Sequence, residues 1–214
     1  MREKEKATQV IFVRHGQTDF PVDRIYCDGK EEPPLNQLGM AQAAQAATCL
    51  QKVEIAAIYA SPCRRTQMTA EAIAAHHKHC QINTDPALME RHFGVWEGLY
   101  FSEIESRFPE EYKAWKRNQA AFKPDSGESV YDLADRAEPA VKSMIDKHAG
   151  KCIVVVSHVG PIRALIASAL GLPLAHYRQL RIDPASMSRV DYGKTQNNLI
   201  YLNFHGRHWQ DGET

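Results

Sequence analysis

Residues 152–160 read CIVVVSHVG, and this stretch decides the expected fold. The five residues at 152–156 are apolar without interruption, which predicts a strand buried on both faces of a parallel sheet. Residues 9–13, QVIFV, form a second β-rich apolar run. Each run leads into a short polar motif that contains a histidine, His15 after the first strand and His158 after the second. The sequence therefore predicts two strands that both end at an imidazole.

Helical patterns lie between and around these strands. Asn36 has the side chain of a helix N-cap, and apolar residues follow it at intervals of three or four. The clearest helical pattern runs from Val130 to Ile145, and Gly150 ends it. The other expected elements are strands at 56–60, 178–182, 187–191 and 198–203 and short helices near 102–118. Alternating strands and helices predict a single α/β domain with a mostly parallel sheet.

The composition excludes several classes of function. The 26 basic residues balance 26 acidic ones, so no overall positive field exists to hold a nucleic acid or an anionic membrane. No stretch approaches the roughly 20 apolar residues that a membrane span needs, and the N-terminus lacks a signal-peptide pattern. The five cysteines are scattered without a CxxC pair. They predict reduced thiols and a cytoplasmic protein.

The chemistry is expected at the carboxyl ends of the strands, where open α/β sheets bind ligands. The motifs bring two imidazoles, His15 and His158, and two guanidinium groups, Arg14 and Arg65, to this edge. Arginine presents a planar fork of donors that fits phosphate oxygens, and the helix expected after Gly160 adds a positive dipole end. Gly16 leaves the backbone beside His15 open to a substrate. Together these features predict a phosphoryl site.

A neutral imidazole is a competent nucleophile, and flanking guanidinium groups should lower the pKa of His15 and keep it unprotonated. We therefore expect a covalent phosphohistidine and no metal or other cofactor. Residues 76–80, HHKHC, invite a metal interpretation. Adjacent residues at a helix end face different directions, so we expect a solvated helix end there.

Six ordered motifs make the chain resemble the histidine phosphatase superfamily, also called phosphoglycerate-mutase-like. They are RHGQT at 14–18, PLNQLG at 34–39, SPCRRT at 61–66, ERHFGVWEG at 90–98, GES at 127–129 and VSHVG at 156–160. The resemblance implies one three-layer domain over 1–214, with a core at about 9–204 and helices on both faces of the sheet.

Carried over motif by motif, the resemblance implies catalytic roles for five residues. His15 becomes the phosphoryl acceptor and Glu90 the general acid and base, with Glu97 as the rival acid. The phosphate pocket is implied to consist of Arg14, Arg65 and His158, with Arg64 as the rival of Arg65. The remaining substrate-binding residues are implied to be Gln17, Thr18 and Val159. Many relatives carry an asparagine at the position of Pro21, which has no donor to offer.

The short stretch between Gly98 and Gly127 resembles the phosphatase branch, which includes α-ribazole-phosphate phosphatase and metal-independent phosphoserine phosphatase. The expected activity is hydrolysis of a small phosphorylated metabolite. The resemblance also implies a homodimer as a possible oligomeric state. Residues 90–92 also resemble the mutase version of the acid motif, so phosphoglycerate mutase-type transfer stays open. A non-catalytic phosphate-binding scaffold is a further alternative, although the nucleophile and the acid are both present.

Overall fold

The computed structural model describes residues 6–26 and 31–206. Its centre is a six-stranded sheet in the order β3-β2-β4-β1-β5-β6. The strands are β1 (Thr8–Arg14), β2 (Ile55–Ala60), β3 (Ile82–Thr84), β4 (Cys152–Ser157), β5 (Met187–Tyr192) and β6 (Asn197–Phe204). The first four run parallel to one another, and β5 and β6 join antiparallel beyond β1. The predicted mostly parallel sheet is confirmed.

Six α-helices surround the sheet in the described part of the chain. They are α1 (Gln37–Leu50), α2 (Arg64–Ala74), α3 (Phe101–Arg107), α4 (Pro109–Arg117), α5 (Val130–Lys147) and α6 (Val159–Ala169). Asn36 caps α1 as predicted, because its side chain accepts a hydrogen bond from the Gly39 amide. Helix α6 begins at Val159, slightly earlier than predicted. No described helix has the length and apolar character required to cross a bilayer.

The sheet is covered on both faces, as the three-layer prediction requires. Successive strand side chains point to opposite faces. Val10 and Phe12 join the apolar cluster that contains α5 and α6 residues, whereas Ile11 and Val13 join the cluster that contains α1 and α2 residues. Every residue of β4 is buried. The uninterrupted apolar run at 152–156 therefore has the predicted cause, which is burial on both sides.

The prediction of a strand at 178–182 is wrong. A 3-10 helix occupies Leu174–Gln179, and no strand follows it before β5. Two carbonyls that a neighbouring strand would have bound are taken by side chains instead. Leu180 O accepts from Arg163 Nε at 2.7 Å, and Ile182 O accepts from Arg14 Nη1 at 2.8 Å. Leu180 and Ile182 give the alternating apolar pattern of a strand. Two arginine side chains, and not a neighbouring strand, form the hydrogen bonds with their backbone carbonyls.

Strand β3 and the middle section complete the fold. The three-residue β3 was not predicted, because a strand this short and polar leaves no apolar pattern. The short helices expected near 102–118 are α3 and α4. They build a separate aromatic cluster around the fully buried Trp96, whose ring stacks on Phe122 at a centroid distance of 4.8 Å. Three members of this cluster, Ile25, Phe93 and Phe101, line a cleft that also contains His15.

Candidate active site

The register of β1 and β4 brings the two histidines together. Arg14 pairs with Ser157, so His15 and His158 are the next residues on two adjacent parallel strands. The His15 amide continues the ladder by donating to Ser157 O at 3.0 Å. The two imidazole rings meet edge to face with centroids 5.2 Å apart. The predicted convergence of both histidines at one sheet edge is therefore present.

His15 is held as a neutral imidazole with one defined tautomer. Its Nδ1 lies 2.8 Å from Gly16 O, and because a carbonyl can only accept, Nδ1 carries the proton. Nε2 is left with its lone pair. Burial lowers the pKa of His15 well below its usual value, and the charges of Arg65 and Arg14 lower it further. Burial is thus a larger cause than the guanidinium groups, to which the sequence argument attributed the shift.

Gly16 is required for a reason other than the predicted one. A Cβ at this position would overlap the carbonyl oxygen of Gly39 on α1, and it would lie 3.0 Å from the carbonyl carbon. The Gly16 amide donates to Thr69 Oγ1 at 3.2 Å, and that hydroxyl donates to Arg65 O at 2.9 Å. The glycine therefore lets the His15 loop pack between α1 and α2, rather than making room for substrate.

Arg65 and His158 form a buried pair beneath His15. Arg65 Nη2 donates to His158 Nδ1 at 3.1 Å, and His158 Nε2 then donates to Ser61 Oγ at 2.9 Å. Both residues have no exposed surface. Burial lowers the pKa of His158 well below its usual value, followed by the charge of Arg65, so this imidazole is neutral too. Both ring nitrogens of His158 are engaged with protein atoms.

Tyr26 is a site residue that the sequence analysis missed. Its ring lies over the Arg65 guanidinium at 4.2 Å, and it meets the His15 ring edge to face at 6.3 Å. The hydroxyl groups of Tyr26 and Thr18 are 2.8 Å apart. In this arrangement the tyrosine ring covers the Arg65 guanidinium. A lone aromatic residue in an irregular loop gives no periodic signal by which the sequence could have identified it.

Arg14 lies beside His15, and the nitrogen donors of its guanidinium group differ in their hydrogen bonding. One terminal amino group binds Ile182 O, while Nε is buried without a hydrogen-bond partner among the described residues. Burial lowers the pKa of this guanidinium, and the charge of Glu90 opposes that shift. A buried donor that lacks a partner is costly to maintain. An anion bound beside His15 would remove that cost.

Glu90, not its rival Glu97, reaches the site. The Glu90 carboxylate is nearly buried and accepts from the Arg91 amide at 2.8 Å and from the Gly160 amide at 3.2 Å. A Cβ at Gly160 would overlap Glu90 Oε1, so the glycine is needed for this close approach. Glu97 instead lies 3.9 Å from His92 Nδ1 and does not line the cleft that contains His15.

A cleft of about 750 Å³ opens above these groups. Of the predicted site residues, those lining it are Arg14, His15, Gln17, Thr18, Glu90 and Val159. Arg65 and His158 lie below its floor, and Arg64 begins α2 outside it. Pro21 lines the cleft beside Phe20, and Phe93 and Phe101 bring the aromatic middle section to its rim. The phenylalanines of this section therefore reach the cleft, whereas Trp96 does not line it.

Two other features of the structure lie outside this cleft. Residues 76–80 follow α2 in a turn, where His79 Nε2 and Cys80 Sγ both contact Ile55 O. Within residues 6–26 and 31–206, no three metal-binding side chains cluster. A larger groove, about 1190 Å³, lies at the opposite end of the sheet near Thr8 and Gly150, and it contains none of the predicted site residues.

Comparisons with known proteins show which proteins this chain is similar to. Residues 10–205 match the sequence profile of the histidine phosphatase superfamily (branch 1). The chain is 29% identical over 196 residues to phosphoserine phosphatase 1 of Hydrogenobacter thermophilus, covering 91% of this chain and 92% of that protein. It is 34% identical over 188 residues to a probable phosphoglycerate mutase, GpmB, of Cronobacter sakazakii, covering 86% and 85%. A mycobacterial glucosyl-3-phosphoglycerate phosphatase solved with VO3 has a TM-score of 0.80 at 31% identity, covering 91% and 98%.

Proposed function

Because this chain belongs to branch 1 of the histidine phosphatase superfamily, we propose that it is a phosphomonoester hydrolase that forms a phosphohistidine on His15. The substrate is a small phosphorylated metabolite. The observation that carries the proposal is the state of His15. Its Nδ1 is tied to Gly16 O, its Nε2 keeps a lone pair, and its low pKa keeps it neutral at pH 7. His15 lines the same cleft as Glu90. Among the described residues, Glu90 is the only carboxylic acid that reaches the buried end of that cleft.

In the first step His15 Nε2 attacks the phosphorus in line, and the phosphorus–oxygen bond to the alcohol breaks. The protonated Glu90 gives its proton to the departing alkoxide. In the second step the Glu90 carboxylate takes a proton from water, which attacks the phosphohistidine and releases inorganic phosphate. His15 then returns to its neutral form. One acidic group thus serves as acid and then as base.

Arg14, Arg65 and His158 stabilise the phosphoryl group in both steps, each in a different way. Arg14 supplies the Nε donor that no described residue satisfies. Arg65 supplies its guanidinium once the Tyr26 ring has turned away from it. His158 holds Arg65 through its Nδ1 and can offer Nε2 if Ser61 exchanges its hydrogen bond. Gln17, Thr18 and Val159 complete the walls around the substrate.

We propose that the reaction needs no metal ion, because the arginines neutralise the phosphoryl charge and the imidazole is the nucleophile. Phosphate release in the presence of EDTA tests this point. Turnover should be unchanged after dialysis against the chelator. A loss of activity that Mg²⁺ or Zn²⁺ restores would contradict metal independence. The labelling experiment would then still test whether His15 is the nucleophile.

The labelling experiment uses a ³²P-phosphomonoester and a rapid acid or alkaline quench. Wild type should retain protein-bound label that is acid-labile and stable in alkali, and His15→Ala should retain none. His76→Ala is the matched control, because His76 is exposed and lies outside the cleft. Acid-stable label, or label that survives in His15→Ala, would contradict the proposal. Absence of label and of phosphate release from the wild type would favour the scaffold alternative.

A second candidate is phosphoglycerate mutase-type transfer, which the similarity to the probable mutase of Cronobacter sakazakii favours. In that reaction the phosphohistidine would give its phosphoryl group to a second hydroxyl instead of to water. Incubation with 3-phosphoglycerate separates the two candidates. Free phosphate should accumulate from a phosphatase, whereas 2-phosphoglycerate without free phosphate would identify a mutase.

We further propose that the chain acts as one domain in the cytoplasm and can form a homodimer. Support for the first point comes from the single sheet, which all six strands of the described residues share. The described cysteines, Cys49, Cys63, Cys80 and Cys152, are free thiols, which suits a reducing compartment. Light scattering after size-exclusion chromatography measures the oligomeric state, and a mass of one chain would contradict the dimer.

A further inference from the structure

The cleft above His15 contains more arginine than one phosphoryl group requires. Besides the phosphate-site Arg14, four others line it: Arg24, Arg91, Arg163 and Arg178. Only two carboxylates, those of Asp19 and Glu90, are among the described lining residues. Charge of one sign collected in a concave site attracts ligands of the opposite sign.

Two of the four arginines are used by the protein itself. Arg24 donates to Gly98 O at 2.7 Å and makes a two-pronged contact with Glu31. Arg91 binds three backbone carbonyls that belong to the middle section, those of Gln119, Phe122 and Glu128. These contacts fix the aromatic section and the loop before α1 in place. Neither guanidinium is presented to a ligand.

Arg163 is held in place but not satisfied. It lies on α6 three residues after Gly160, whose amide binds Glu90, so both positions share one face of the helix. Its Nε donates to Leu180 O at 2.7 Å, which fixes the plane of the guanidinium. Within the described residues its two terminal amino groups have no hydrogen bond or ion pair. Burial lowers the pKa of Arg163, and the charge of the neighbouring Arg178 lowers it further.

Arg178 adds a second cation from the facing 3-10 helix. It is exposed, and Nη1 donates to Gln119 Oε1 at 2.6 Å. No described carboxylate forms an ion pair with it. Both arginines line the same cleft, and the like charge of Arg178 is a smaller cause than burial of the lowered pKa of Arg163, so the two guanidinium groups repel each other. An anion placed between them would relieve that repulsion and would satisfy the terminal amino groups of Arg163.

We infer that Arg163 and Arg178 form a second anion subsite in the cleft, which selects phosphomonoesters carrying a carboxylate or a second phosphate a few bonds from the scissile phosphate. This inference rests on the proposed function and narrows its substrate class. The cleft volume of about 750 Å³ suits a small metabolite that spans both subsites. The guanidinium plane, fixed through Leu180 O, presents both terminal amino groups as a fork for two oxygens.

The test compares substrates that differ only in the second anion. 3-Phosphoglycerate and glycerol 3-phosphate share a three-carbon skeleton, with a carboxylate in the first and a hydroxymethyl group in the second. Fructose 1,6-bisphosphate and fructose 6-phosphate do the same for a second phosphate. Wild type should show a kcat/KM about tenfold to a hundredfold higher for the doubly anionic member of at least one pair. The pair that shows it identifies the second anion.

Arg163→Met should remove most of that preference and leave kcat/KM for the singly anionic substrate within about twofold. This second readout excludes a merely structural role, since loss of the Leu180 contact alone would lower activity on both substrates equally. Arg178→Met should reduce the preference by a smaller factor, about threefold, because its charge is exposed. Arg107→Met, an exposed arginine on α3 outside the cleft, is the matched control.

Phosphate release at equal kcat/KM for both members of each pair would overturn the second subsite and leave the phosphatase function intact. An equal loss on all substrates in Arg163→Met would overturn it too. If the wild type releases phosphate neither from the four compounds nor from p-nitrophenyl phosphate, the proposed function fails instead. Calorimetric binding of 3-phosphoglycerate and fructose 1,6-bisphosphate to wild type and Arg163→Met then decides the subsite, with weaker binding by the variant supporting it and equal binding contradicting it.

Discussion

Replacement of Gly160 by alanine should displace the proposed acid without damaging the fold. The new Cβ would overlap Glu90 Oε1 and would lie 3.2 Å from Glu90 Cδ. The carboxylate must withdraw by roughly 1 Å to reach ordinary contact, which also breaks its hydrogen bond with the Gly160 amide. A misplacement of about 1 Å at a reacting group costs on the order of 10²-fold in rate. We therefore expect kcat/KM for an alkyl phosphate to fall by about that factor.

The loss should depend on the leaving group, and this dependence is the assay. An alkoxide needs a proton from Glu90, whereas p-nitrophenolate leaves without one. For p-nitrophenyl phosphate, kcat/KM should fall by less than about fivefold, because this parameter does not include the later hydrolysis of the phosphohistidine. Gly160→Ala added to Glu90→Gln should cause no further loss, since both changes remove the same contribution.

The fold should tolerate the substitution. The atom that the new methyl group meets is the end of a flexible side chain, and alanine is a better helix former than glycine by up to about 1 kcal/mol. The melting temperature of Gly160→Ala should therefore equal or exceed that of the wild type. Equal losses on alkyl and aryl substrates, or an additive loss in the double variant, would refute the assignment of Glu90 as the acid. A lowered melting temperature would refute the reasoning from side-chain displacement.

Four further predictions concern residues in and around the site. Since the pKa of His15 is well below 6.5, kcat/KM should be retained as the pH falls from 7.5 to 6, and a decline centred near 6.5 in a pH–rate profile would contradict a buried nucleophile. The two buried histidines bind protons more readily when unfolded, so the free energy of unfolding in urea should fall as pH drops below 6.5, and a rise would contradict their neutral state. Gly16→Ala should destabilise the protein by about 1–3 kcal/mol in the same assay, because the new methyl group meets the rigid backbone of Gly39. An unchanged free energy of unfolding would show that the loop at residue 16 can move away from Gly39. Tyr26→Ala should strengthen inhibition by inorganic phosphate by exposing the guanidinium beneath the ring, and weaker inhibition would mean that the ring helps to bind phosphate.

The local sequence determined the frame of this protein. The apolar run at 152–156 needs burial on both faces, and a parallel sheet covered by helices is the arrangement that provides it. The same logic located β1, and the parallel direction expected of the two strands places His15 and His158 at one edge of the sheet. These conclusions depend only on short-range patterns and on a general rule about strand ends. They did not require knowledge of packing.

The ordered motifs supplied the individual site residues, within limits. They selected Glu90 together with a rival, Glu97, because two acids seven residues apart in one motif look equivalent in a sequence. The backbone path gives them different surroundings, since Glu90 lies against the Gly160 amide and lines the cleft, whereas Glu97 lies near His92. The role of Gly16 was misjudged for a similar reason. What a missing side chain makes room for depends on which distant backbone lies opposite, here that of Gly39.

Tertiary structure alone decided three features of the cleft. It placed Tyr26 over Arg65, and it made backbone carbonyls of the 180–182 segment accept from arginines instead of from a strand. It also placed Arg163 in the lining of the cleft, with no described hydrogen-bond partner for its terminal amino groups. Each is a contact between residues far apart in the chain, and a side chain's available hydrogen-bond partners are set by that packing. Sequence patterns report how a residue relates to its near neighbours. They therefore determine strands, helices and motifs, whereas which donors remain for a substrate is known only once the chain has folded.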